Sequence, residues 1–171
     1  GFTITGGNGL DRDAWPWDRG GGVYVRASDT VFANLLFTRN QAWEGGGAYV
    51  RTEWQNHYHP ATFVNCVFSG NYAEHEGGGL SMGYQTLEEL RNCTFVGNRS
   101  GGSEAGGLYA RGYSQGLMVQ NCLFWNNRDA TGFGELAQLR GDITAHNTTI
   151  MNLDNHAGNG NIDDYPVFAR W

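Results

Sequence analysis

The chain contains no lysine: all 11 basic residues are arginine, set against 17 acidic ones for a net charge of −6. No basic cluster is present, so nucleic acid is not an expected partner. The exclusive use of arginine fits either its preference for stacked and bidentate contacts or GC-rich coding. Proline is scarce, at 3 of 171 residues, and the charged fraction is only 16%; with 13% aromatic residues, this excludes a disordered chain. No run approaches the ~20 apolar residues needed to span a bilayer, so no transmembrane segment is expected. No helix-period pattern of useful length occurs. No leader precedes Gly1, and Gly1-Phe2-Thr3-Ile4-Thr5 reads as the middle of a strand. The expectation is a single domain over 1–171, part of a longer or processed chain.

Glycine is abundant, at 27 residues, and it recurs in register with other motifs. One motif is Phe-x-x-Asn: Phe37 to Asn40, Phe68 to Asn71, Phe95 to Asn98 and Phe124 to Asn127. The Phe positions lie 31, 27 and 29 residues apart. The other is a glycine pair or triplet leading into a short strand, at Gly20–Gly22, Gly45–Gly47, Gly77–Gly79 and Gly106–Gly107. A period near 30 with β-like segments is the signature of a solenoid.

Aligning the repeats exposes columns. One holds Asn34, Asn65, Asn92, Asn121 and Asn147, and the next holds Leu35, Cys66, Cys93, Cys122 and Thr148. Phe37, Phe68, Phe95, Phe124 and Ile150 lie three residues after the Asn, and Phe32, Phe63, Leu90, Val119 and Ala145 two before it. Inward positions should alternate strictly along a strand, and here the parity slips across the Asn. That predicts a bend there, with Asn in the left-handed region and its side chains stacked from coil to coil. In the glycine-led strand Val23, Ala48, Leu80, Leu108 and Ala137 should point inward, as should Val25, Val50, Met82, Ala110 and Leu139. The expected fold is all-β, a right-handed single-stranded parallel β-helix of about six coils, roughly 30 Å long at ~4.8 Å per coil. Each coil should carry three strands.

Repeated Phe-x-x-Asn with Gly-Gly-Ala/Leu/Val resembles the polymorphic outer-membrane proteins of chlamydiae. It is also similar to a wide group of secreted bacterial β-helix repeat proteins, which share openings like Gly1–Asn8 and closings like Gly160–Phe168. The resemblance covers nearly the whole chain. It implies a secreted or cell-surface protein, often adhesive, and carries no shared catalytic residues.

Several groups of side chains could carry chemistry. Cys66, Cys93 and Cys122 share one inward column, and their odd number favours a packed thiol ladder over a disulfide or a metal site. Asp18, Glu44, Glu76 and Glu104 precede the glycines. If the loops stack, like charges ~5 Å apart repel by about 1 kcal/mol in water, and a bound Ca²⁺ would relieve this. The alternative is that unequal loops splay these carboxylates into solvent. Asp11-Arg12-Asp13, Glu74-His75-Glu76 and His57-Tyr58-His59 offer further donors, for which loop decoration is the simpler account.

The outward column of the glycine-led strand reads Tyr24, Tyr49, Ser81 and Tyr109, followed two residues on by Arg26, Arg51 and Arg111. Gly83 breaks the Arg column, and Arg140 is a candidate to extend it. Such a stripe suits a glycan or a host or neighbouring surface protein; cross-strand Tyr stacking that merely covers a sheet face explains it equally. Trp15, Trp17, Trp43 and Trp54 fall in loops, as contact surfaces often do. The Asn92, Asn98 and Asn147 glycosylation sequons read as accidental, since two of them sit in the bend column.

Three functions are consistent with these features. One is an extracellular or cell-surface structural or adhesive module without enzymatic activity. The second is a polysaccharide lyase or hydrolase acting on a cell-wall or matrix glycan, which would need converging acids or a Ca²⁺ site. The third is a filament subunit that self-associates through the ends of the β-helix.

Overall fold

The computed structural model describes residues 1–10, 18–26, 28–51, 61–83, 89–111, 116–154 and 156–166. The chain winds into a parallel β-helix with four sheets, of six, four, five and five strands. Every strand pairs in parallel with its counterpart one coil away, as Phe37↔Phe68 and Leu80↔Ala48 show. The six-stranded sheet holds the Phe strands, Thr3–Thr5, Leu36–Thr38, Val67–Ser69, Thr94–Val96, Leu123–Trp125 and Thr149–Ile150. The glycine-led strands Val23–Arg26, Ala48–Arg51, Leu80–Met82, Leu108–Ala110 and Leu139–Gly141 form a second sheet, and Thr30–Ala33 through Ile143–His146 a third.

The fourth sheet was not foreseen. Asn8–Gly9, Gln41–Glu44, Tyr72–Glu76 and Arg99–Ser100 pair between the Phe strand and the glycine corner. Their inward positions are small or charged, Ala42 with Glu44 and Ala73 with Glu76, so no apolar alternation announces them. The coil count is also smaller. Four coils carry a strand on all four sheets, a fifth has three and a sixth only Thr149–Ile150. In the fifth coil a short helix, Glu135–Gln138, replaces the strand of the fourth sheet. That insertion shifts the register, so Leu139 pairs with Leu108 rather than with Ala110, and Arg140 pairs with Tyr109. Arg140 therefore does not extend the arginine column.

The Asn bend stands as expected. Asn34, Asn65, Asn92, Asn121 and Asn147 have φ of 58°, 53°, 54°, 52° and 49°, the left-handed conformation that Asn tolerates. Asn65 and Asn92 each donate from Nδ2 to Oδ1 of the preceding Asn at 3.2 Å. A second ladder runs inside. Asn40, Asn71, Asn98 and Asn127, the last residues of Phe-x-x-Asn, are at most 1% exposed. Asn71 Nδ2 donates to Phe37 O at 2.9 Å and to Asn98 Oδ1 at 3.0 Å, and the pattern repeats in the next coil. Gln138 ends the ladder, accepting from Asn127 through Oε1. These amides satisfy backbone groups at a corner that would otherwise be buried unpaired.

Between the ladders lies the core. Phe37, Phe68, Phe95 and Phe124 stack with centroids 4.6, 4.6 and 4.7 Å apart, and Phe32 stacks on Phe63 at 4.8 Å. Cys66, Cys93 and Cys122 are buried free thiols, and Cys93 N donates to Cys122 Sγ at 3.3 Å. At the glycine corner, Gly45 has φ +65°, and a Cβ on Gly46 would lie 2.2 Å from Tyr72 O, so only glycine lets the coils close up there. Among the described residues, no helix is long and apolar enough to cross a membrane.

Candidate functional site

Where the fourth sheet meets the glycine corner, alternation turns two acids inward. Gln41–Glu44 alternates exposed and buried, which puts Glu44 inside at 4% exposure. In Tyr72–Glu76 a register shift between Ala73 and Glu76 leaves His75 outside and Glu76 inside at 1% exposure, paired in register with Glu44. Two carboxylates thus sit on adjacent coils, out of water.

Arginines from both directions meet them. Arg19 bridges the backbone of Glu44 and its guanidinium pairs with the Glu44 carboxylate. Arg111 reaches back from two coils away. Its Nη2 donates to Glu44 Oε1 at 3.0 Å and to Glu76 Oε2 at 2.9 Å, and its Nε to Glu76 Oε1 at 3.1 Å. The gap at Gly83, which interrupts the arginine column, leaves the intervening coil without a side chain at that place. Ser81 Oγ completes the shell, donating to Glu76 Oε1 at 2.9 Å.

Burial raises the Glu76 carboxyl above its ordinary value, and the Arg111 hydrogen bonds oppose that rise. For Arg111 burial acts to lower the guanidinium, but its hydrogen bonds to Glu76 and the two carboxylate charges prevail and raise it. Tyr49, 3% exposed, lies beneath the Arg19 guanidinium at 4.9 Å and stacks on Tyr24 at 5.7 Å. Burial, then the Glu44 charge, pushes its hydroxyl up to about 12. His75 sits at the mouth with 46% of its side chain exposed, Nδ1 3.7 Å from Glu76 Oε2 and 3.9 Å from Glu44 Oε1. Its ring stacks on Trp43 at 5.8 Å.

Of the four acids expected in one column, Glu44 and Glu76 come together. Asp18 is displaced by one residue, so Arg19 holds the place in register with Glu44. Its carbonyl accepts from Trp43 N and Glu44 N. Glu104 follows Glu76 in the bridge pattern but is more exposed, and pairs with Arg140 at 3.3 Å. Glu44, His75 and Glu76 offer donor atoms within 4.8 Å of one another, a spacing a divalent cation could use, though the Arg111 guanidinium lies on the same oxygens.

The Tyr and Arg stripe does not form one open surface. Tyr24, Tyr49, Ser81 and Tyr109 align in register, but Tyr49 and Ser81 are buried. Arg26 is exposed and in register with half-buried Arg51, whereas Arg111 is drawn into the acid pair. Asp11, Arg12, Asp13, Trp15, Trp17, Trp54, His57, Tyr58 and His59 lie outside the described residues. Two features had escaped the sequence reading: the long reach of Arg111, and the place of Arg19 among the acids. Arg19 had a signal, since it stands one residue before its glycines as Glu44 and Glu76 do before theirs.

A family model for the right-handed beta helix region matches residues 21–160. No curated protein and no solved structure matches the chain. With the parallel coils already in view, that match over most of its length means that the chain belongs to the right-handed β-helix family.

Proposed function

We propose that the chain is an extracellular or cell-surface structural and adhesive β-helix module without enzymatic activity of its own. The observation that carries this reading is the state of the acid pair. Both Glu76 oxygens already accept hydrogen bonds, from Ser81 and Arg111, and Glu44 is shared between Arg19 and Arg111. A general acid or base must exchange its proton with a substrate; these two carboxylates are tied to guanidinium groups inside the corner. The cluster instead clips together coils that lie far apart in sequence.

The polysaccharide lyase or hydrolase reading draws on one observation, the half-exposed His75 at the mouth of that pair. The size profile of neutral and acidic polysaccharides after incubation with the protein and Ca²⁺ decides between the two. Unchanged profiles are expected. Shortened chains from one polymer, no longer produced by E76Q, would overturn the structural reading and place the chemistry at the acid pair.

A further inference from the structure

We propose that the fourth sheet presents a binding face for an acidic polysaccharide, a chain of sugars bearing carboxylate or sulfate groups, laid along the helix axis. The proposal rests on the adhesive reading above and supplies its ligand class. Five side chains of this face stand in one row, register by register: Asn8, Gln41, Tyr72, Arg99 and Arg128. Their neighbours Ala42, Ala73, Ser100 and Asp129 are buried, so the row itself points outward. Asn8, Gln41, Arg99 and Arg128 are exposed and Tyr72 is half-buried.

The chemistry changes along the row in a way that suits one occupant. Gln41 Nε2 donates to Asn8 Oδ1 at 3.1 Å, which fixes the amides and leaves donors and acceptors for hydroxyl groups. Trp43, two residues beyond Gln41, is 39% exposed and stacks on His75, giving a flat apolar shelf for the face of a sugar ring. Arg99 and Arg128 close the row. Each is held over an aromatic ring, Tyr72 at 5.8 Å and Phe133 at 5.6 Å, and among the described residues neither has a carboxylate within ion-pair distance. Glu74, on the same face, has a partner of its own.

This is unusual on a protein of net charge −6, where acids outnumber arginines. The backbones of Arg99 and Arg128 pair on adjacent coils, about 4.8 Å apart, so their side chains put two like charges on neighbouring coils of one face, and a polyanion laid along the row relieves the repulsion. Each can also take a carboxylate or sulfate through two parallel hydrogen bonds. A linear polymer matches a row that advances by a constant step. Nucleic acid fits less well, because two arginines do not offset the field of the whole protein.

Affinity electrophoresis in gels containing hyaluronan (carboxylate only), chondroitin sulfate (carboxylate and sulfate), dextran or single-stranded DNA tests this. One or both acidic polysaccharides should retard the protein at low salt, less so as salt rises, and dextran and DNA should not. R99Q/R128Q should weaken the retardation at least about tenfold, whereas R91Q, on a different sheet and paired with Glu89, should leave it unchanged. The Arg residues are exposed, so an unchanged melt verifies that R99Q/R128Q is folded. No retardation by either acidic polymer, equal retardation by DNA, or full binding by folded R99Q/R128Q would overturn the proposal. Recovery of the polymer separates the two claims. Shortened polymer sinks the non-enzymatic reading and leaves the face standing; intact polymer without retardation sinks the face alone.

Discussion

Replacing Arg111 by methionine should destabilise the protein strongly at neutral pH and progressively less as the pH falls. The side chain is 23% exposed, while the carboxylates it holds are 5% and 1% exposed. Its removal leaves Glu76 buried with the Ser81 hydroxyl as its hydrogen-bond donor and Glu44 with Arg19, the half-exposed His75 ring lying 3.7 and 3.9 Å from the two carboxylates. Breaking a buried pair by deleting one partner costs about 3–5 kcal/mol, because the other charge is stranded. For a domain of this size that is a fall of roughly 6–20 °C in Tm. The pH dependence follows from Glu76, whose folded carboxyl lies above its ordinary value of 4.5. A group that binds its proton more tightly when folded contributes fully below its unfolded value, and the contribution is lost as the pH rises through the raised folded value. Without Arg111 that rise is larger, so the deficit relative to the parent should widen from about pH 4.5 towards neutrality. Thermal melts of R111M and parent across that interval, followed by circular dichroism, measure it. Adding E76Q to R111M should recover much of the loss at neutral pH by removing the stranded charge. A deficit that is constant with pH, or absent at neutrality, would refute the account of the corner as an ion cluster.

Phe95→Ala, in the middle of the stacked ring column, should cost about 3–5 kcal/mol in denaturant titration, whereas Val31→Thr, 69% exposed, should change almost nothing. Asn98→Ala should cost about 2–3 kcal/mol, because it strands the buried Asn71 backbone N–H and takes one partner each from Asn71 Nδ2, the Phe68 carbonyl and Asn127 Oδ1; a loss within the range of a surface substitution would show that water can replace the ladder. The three thiols should be inert to a thiol reagent in the native state and all three should react in denaturant. Hydrogen bonding with Cys122 and burial push the Cys93 thiol up to about 12, so little thiolate forms there even at mildly alkaline pH, whereas the same hydrogen bond lowers the Cys122 thiol, whose protection rests on its burial. Rapid labelling of the native protein would contradict the packed column.

The family of coils was legible because its signals are steric and repeat. Asn at a parity slip, Phe three residues later and glycine where backbones touch each have one conformational cause, and each recurs near every 30 residues. The fourth sheet was not legible, because its inward positions are Ala42 and Ala73 beside Glu44 and Glu76, and a buried carboxylate has no pattern by which to tell it from a solvated one. The register of Leu139 was lost for a related reason. Gln138 takes over the ladder position from Asn, and a single amide exchanged for another inside a short helix does not disturb hydropathy.

The candidate sites follow a general consequence of this architecture. In a β-helix, residues about 30 apart in sequence become neighbours one strand spacing apart, so chemistry accumulates in columns and any departure from a column has to be settled locally. Inside the glycine corner the column of acids is settled by Arg111, which crosses a coil to reach them. On the outer face the column of Arg99 and Arg128 has no such partner among the described residues, only the rings they lie over. The same repeat that stacks like charges therefore supplies the counter-charge in one place and omits it in the other. The cluster that is closed belongs with stability, and the pair left open is where an anionic ligand has something to complete.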